Sequence, residues 1–169
     1  MALFDVDNLM AVLQDLARDA EEAYKDNLRN NNHIASGALI QSIYTTIEVS
    51  GTHYIVWMNM ADMWKYVEYD TKAHWPPRDV ILRWIKIKPL IPRPDENGRI
   101  PTQEQLAFLI ARAIAGQSPH QHLLKNPNGG TKGTHDFGRA RDGVTAFYEE
   151  RLKEALHIDA LNYIEKVLG

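Results

Sequence analysis

The chain has 169 residues, 44% of them hydrophobic and 24% charged, which is enough for one domain with a sizeable core and speaks against wholesale disorder. Its formal net charge is −3, from 19 basic and 22 acidic side chains, so it lacks the basic excess expected of a protein whose task is gripping DNA. It has no cysteine, which removes disulfides, thiol catalysis and Cys-based zinc sites, and no apolar run near the roughly 20 residues needed to span a bilayer.

The first residues lack the basic start and cleavage pattern of a signal peptide, and their acidic side chains argue against a transit peptide, while the absence of cysteine fits assembly in a cytoplasm. Residues 6–29 predict one long helix: Leu9, Val12, Leu13, Leu16, Ala20, Tyr24 and Leu28 recur at three- and four-residue steps on one face. Asn30, Asn31 and Asn32 stop it, because Asn favours caps and turns over helix interiors. Residues 42–49 and 53–60 alternate as two strands, and Ser50-Gly51-Thr52 between them predicts an antiparallel hairpin. A short helical piece is expected over 61–69. Trp75-Pro76-Pro77 breaks it from a helix over 78–86, whose buried face is read as Val80, Ile81, Trp84 and Ile85.

Asp95-Glu96-Asn97-Gly98 is a strong turn signal. Thr102 with Gln105 three residues later has the pattern of a capping box, opening a helix to about residue 115 that buries Leu106, Leu109, Ile110, Ala113 and Ile114. Residues 117–139 hold four glycines, two prolines and three histidines, and read as an extended loop or arm. Two closing helices are expected over 142–156 and 159–168. The fold class that follows is α+β: a small antiparallel sheet packed on a long N-terminal helix, with additional helices and a long Gly/Pro-rich arm, as a single domain over 1–169.

Candidate chemistry is thin. His120 and His122 form a His-x-His pair with His135 nearby, but a metal site needs a third ligand on a fixed backbone, and this backbone is rich in Gly and Pro. Solvated or interface histidines are the expectation, and no metal is assigned. Thr131-Lys132-Gly133-Thr134 offers glycine, lysine and hydroxyls but not the spacing of a phosphate-binding loop. The carboxylate pairs Asp5/Asp7, Glu21/Glu22 and Glu149/Glu150 fall on expected helix ends or outer faces, where solvated charge is the rule. No nucleophile with a base partner can be picked out, so no catalytic residue and no cofactor is assigned. Of four tryptophans, Trp57 and Trp84 are read as packing residues. Trp64 and Trp75 flank a break in structure and are the better candidates for an exposed contact surface.

Tyr66-Val67-Glu68-Tyr69-Asp70-Thr71 resembles the Tyr-x-x-Glu-x-Gly-Thr segment of a large family of tailed-bacteriophage neck and tail-completion (head–tail joining) proteins. There it follows a hairpin and leads through a Pro-rich break into a helix ending Trp-Ile-x-x-Lys, like Trp84-Ile85-Lys86-Ile87-Lys88 here. Leu106-Ala107-Phe108-Leu109-Ile110-Ala111-Arg112 is similar to that family's apolar helix. Gly133-Thr134-His135-Asp136-Phe137 is similar to its Gly-Thr segment, and Ser36-Gly37-Ala38-Leu39-Ile40-Gln41-Ser42-Ile43 to its entry into the first strand. The chain departs from the pattern in having Asp70 where Gly is common, and in what reads as an insertion over 117–130.

The resemblance implies a structural virion protein without catalytic residues, cofactor or membrane association. It would be a ring-forming homo-oligomer between neighbouring connector and tail-tube proteins, located in the neck or tail of the virion and assembled in the host bacterial cytoplasm. Rings of this kind use two different surfaces of each protomer. The expected interfaces are the hairpin and the 64–75 segment, with Trp64, Tyr66, Glu68 and Trp75, on one surface and the 117–137 arm, with His120, His122, His135 and Phe137, on the other. The near-neutral charge is compatible with a lumen past which DNA slides without specific contact, and equally with an outer position. The competing expectations are another structural tail or minor capsid component, and a small metal-dependent nuclease or nucleic-acid-processing protein.

Overall fold

The computed structural model describes residues 5–119 and 127–168. The fold is mixed helix and sheet, with a long N-terminal helix, a two-stranded antiparallel sheet packed on it, and further helices. The described residues divide into two compact units: one from 5–34, 38–62 and 135–168, the other from 35–37, 63–119 and 127–134.

In the first unit, α1 (Asp7–Asn30) buries Leu9, Leu13, Ala17, Ala20, Tyr24 and Leu28 along one stripe. This is the stripe expected from the sequence, with Ala17 replacing Val12 and Leu16 at its centre. It packs against α6 (Asp136–Leu168), whose buried residues Asp136, Ala140, Tyr148, Ala155 and Asp159 also fall on one face. The helices run antiparallel, since the start of α1 meets Asp159 while its end meets Asp136. α1 stops as the asparagines predict. Asn32 takes the left-handed conformation (φ +55°), Asn32 N–H donates to Arg29 O, and His33 N–H donates to Leu28 O. That is the Schellman arrangement, with Asn in the place glycine usually holds.

The short helix α2 (Ala38–Ser42) leads into β1 (Tyr44–Ser50) and β2 (His53–Asn59), paired from Tyr44↔Asn59 to Ser50↔His53 around a turn at Gly51. Ser42 Oγ donates to Leu39 O and accepts from Ala61 N–H, fastening the entry of β1 to the exit of β2. Glu21 of α1 accepts from the backbone and hydroxyl of Thr45, which fixes the sheet on the helix.

In the second unit, α3 (Lys65–Glu68) is followed by α4 (Arg78–Ile87) and α5 (Gln103–Ile114). The capping box is present: Thr102 Oγ1 accepts from Gln105 N–H at 3.3 Å, and Gln105 Oε1 accepts from Thr102 N–H at 2.9 Å. The buried faces are narrower than expected. On α4 only Ile85 is fully buried, and Val80 and Trp84 are exposed. On α5 the fully buried residues are Ala107 and Ala111, while Leu109 lies exposed. α5 packs against α4, and its buried positions are alanines that a hydrophobicity pattern ranks low.

Two further expectations are corrected. The closing helices are one continuous helix of 33 residues that starts six residues earlier than expected. Nothing between Leu156 and Asp159 breaks it, because no Gly or Pro stands there. Trp57 is half exposed on the outer face of the hairpin, with its indole Nε1–H donating to Glu48 at 2.7 Å.

Candidate functional site

The expected contact surface begins in the second unit. α3 is a single turn, so its side chains diverge: Tyr66 is 69% exposed while Glu68 is 6% exposed. Trp64 lies tilted against Tyr69 with ring centroids 5.7 Å apart. After Tyr69 the chain extends, and a segment distant in sequence runs beside it in the opposite direction. Thr71 N–H donates to Thr131 O at 2.8 Å, Gly133 N–H to Asp70 Oδ1 at 2.9 Å, and Thr134 N–H to Val67 O at 2.8 Å.

The glycines here serve close approach and not loop flexibility. A Cβ on Gly130 would stand 1.9 Å from Thr71 O, and one on Gly133 would stand 2.3 Å from Glu68 O. Residues 127–134 of the expected arm are therefore packed along 67–72. Trp75 is half exposed and faces Phe108 of α5 at 6.1 Å between centroids. The structure thus keeps Trp64, Tyr66, Glu68 and Trp75 within one unit.

His135 and Phe137 belong to the other unit, at the start of α6. His135 is exposed and left-handed (φ +56°), a conformation that His tolerates better than most side chains. Phe137 packs edge-on against Tyr24 at 5.7 Å, so it contributes to the α1/α6 seam. His120 and His122 lie outside the described residues.

Sequence reasoning missed three polar ties along the α1/α6 seam. At one end, Asp159, 3% exposed, accepts from Leu9 N–H at 2.8 Å, Asn8 N–H at 3.1 Å and Asn8 Nδ2 at 2.7 Å. It caps α1 from 150 positions away, in the role that Val6 cannot play. Burial pushes the Asp159 carboxyl up, but the donors from Leu9 and Asn8 outweigh it and leave its pKa below the ordinary value.

At mid-seam, the Tyr148 hydroxyl donates to Asp19 at 2.5 Å. That hydrogen bond lowers the Asp19 pKa against a partial desolvation, with Arg18 and Arg151 assisting. Desolvation first, then the bond to Asp19, raises that of Tyr148. At the far end, Asp136 accepts from Asn31 Nδ2 at 2.6 Å and lies 2.8 Å from His33 Nδ1. Each of these carboxylates is tied to the opposite helix or its end by at least one hydrogen bond, an arrangement that positions helices.

Among the described residues no group of three or more His, Asp or Glu is placed to hold a metal ion. Also missed was a cleft in the second unit lined by Arg78, Arg93 and Arg99. The only trace of it in the sequence is the pair of arginines flanking the Pro94–Gly98 turn. No helix of the described residues is long and apolar enough to cross a membrane. Comparison with protein-family models, curated proteins and solved structures found no match.

Proposed function

We propose that the chain is a structural virion protein, a ring-forming subunit that joins the phage head connector to the tail. The observation that carries this reading is the pairing of residues 67–71 with 131–134. Two segments quoted for the resemblance, 66–71 and 133–137, hydrogen-bond to each other through Gly133 N–H to Asp70 Oδ1 and Thr134 N–H to Val67 O, and the pairing continues to Thr71 and Thr131. A joint structural role for two of the quoted motifs supports this reading. Asp70, the departure from the family's Gly, uses its carboxylate to hold Gly133.

A heterologous ring also needs two unlike surfaces. The second unit exposes Tyr66, Tyr69 and Trp75, and the first exposes Leu161, Ile164, Val167 and Leu168 on α6. Such apolar side chains are what protomer contacts cover.

Native mass spectrometry of the full chain, with electron microscopy of the same sample, tests the proposal. Closed rings are expected, and Tyr66→Asp combined with Trp75→Asp is expected to leave folded monomers, because both side chains are exposed. A chain that stays monomeric at every concentration and cleaves DNA with a divalent metal overturns it.

A further inference from the structure

The cleft formed by Arg78, Arg93 and Arg99 has a volume of about 460 Å³, within the range of small-ligand and side-chain pockets. Its apolar wall is Pro101, Phe108 and Leu109, with Phe108 and Leu109 both exposed. Each arginine stands on constrained backbone. Arg93 lies between Pro92 and Pro94, which restricts its own φ and ψ to extended values. Arg99 closes a turn in which Asp95 N–H donates to Arg99 O at 2.9 Å and Arg99 N–H donates to Asp95 Oδ1 at 2.8 Å. Arg78 opens α4 and reaches across to donate to Glu104 O at 3.3 Å. The first turn of a helix is the place where a cation is least favoured by the backbone dipoles, so helix stability does not account for Arg78.

The neighbouring carboxylates leave this positive charge in excess. Asp95, the one acid lining the cleft, uses Oδ1 on the N–H groups of Asn97 and Arg99. Glu104, at the start of α5, is held first by its own backbone N–H and then by Thr102, and its pKa is lowered accordingly. Arg93 and Arg99 have no carboxylate partner among the described residues. Gln105 gives its oxygen to Thr102 and retains its amide nitrogen as a further donor.

We propose that this cleft binds an acidic segment of a partner protein, in which carboxylates flank one large apolar side chain. The guanidinium forks match carboxylates, and the wall of Pro101, Phe108 and Leu109 takes the apolar residue. A nucleic-acid strand fits less well. The chain's net charge of −3 repels a polyanion at long range, and the arginines converge on one cleft where a backbone would need a stripe. The cleft is independent of the ring proposal and can fail or hold without it.

Fluorescence anisotropy of the full chain with a labelled Asp-Glu-Phe-Glu-Asp peptide tests the assignment. Saturable binding is expected, weakened about tenfold by Arg93→Gln or Arg99→Gln and more by the pair. It is also weakened when Phe of the peptide becomes Ala. Circular dichroism should match the parent, since both arginines are exposed. Four results overturn the proposal: no saturation up to about 1 mM peptide, equal binding by the double variant, equal binding of the alanine peptide, or tighter binding of oligothymidylate than of the acidic peptide.

Discussion

Single residues in this chain matter most where backbone would otherwise be left unpaired or crowded. Asp159 satisfies two amides of the first turn of α1 from a buried position. Asp159→Ala is expected to cost about 1–3 kcal/mol in urea unfolding, the loss of a cap plus buried donors left unmet. Because its folded pKa lies below the ordinary 3.8, its contribution is complete above that value. It is lost as pH falls through the lower folded pKa. An acid titration followed by circular dichroism should therefore show a shallower loss of stability for Asp159→Asn than for the parent.

Glycines divide in the same way. Gly130 has φ +77° and its Cβ would overlap Thr71 O, so Gly130→Ala should destabilise by about 2 kcal/mol or more. Gly143 lies in α6 with nothing within 4 Å of a Cβ, so Gly143→Ala should stabilise by about 0.5–1 kcal/mol. Thermal melts of the two variants read both signs. Thr102 and Gln105 were visible as a cap from their spacing alone, whereas Asp159 was not. A local cap is written within four residues, and a remote one only in the packing of two helices.

At the scale of elements, α1 and α6 are held by an apolar seam whose register the polar ties select. Sliding one helix by a turn would separate Tyr148 from Asp19, Asp159 from Leu9 and Asp136 from Asn31 together. The Tyr148–Asp19 bond is only part-buried, so its contribution to stability is modest. Tyr148→Phe should thus cost only about 1 kcal/mol, while the Asp19 carboxyl, freed of its donor, titrates closer to its ordinary value. Carboxyl-detected NMR titration measures this, and an unchanged Asp19 would refute the assignment. The seam also contains Ala140 and Ala155, both buried. Their small size sets how closely the helices approach, and Ala140→Leu should overpack the seam at about 1–3 kcal/mol.

The same use of alanine on α5 explains why the expected buried faces were displaced. Hydrophobic periodicity finds large side chains, and here Leu109, Phe108, Val80 and Trp84 are exposed while Ala107 and Ala111 are buried. Large side chains left outside a unit are the raw material of contact surfaces.

At the scale of the whole molecule, each unit has its own buried residues: Tyr24, Leu28 and Tyr148 in one, Ile85, Ala107 and Ala111 in the other. A perturbation placed in one core should act there first. Hydrogen exchange on Gly130→Ala is expected to show lost protection at Thr71, Gly133 and Thr134, with the amides of α1 and α6 unaffected. The sequence by itself determined the elements whose signals are local. These are the α1 stripe and its Asn stop, the hairpin turn at Gly51, the Pro break before α4 and the capping box of α5. Each is encoded in the steric and hydrogen-bonding preferences of neighbouring residues.

Only the tertiary structure decided what 127–134 does, because the need for glycine at 130 and 133 arises from backbone remote in sequence, at Thr71 and Glu68. It also decided that Phe137 packs on Tyr24, and that Arg78, Arg93 and Arg99 share one cleft. Those facts rest on distances between segments remote in sequence, which no local pattern of hydrophobicity or charge specifies.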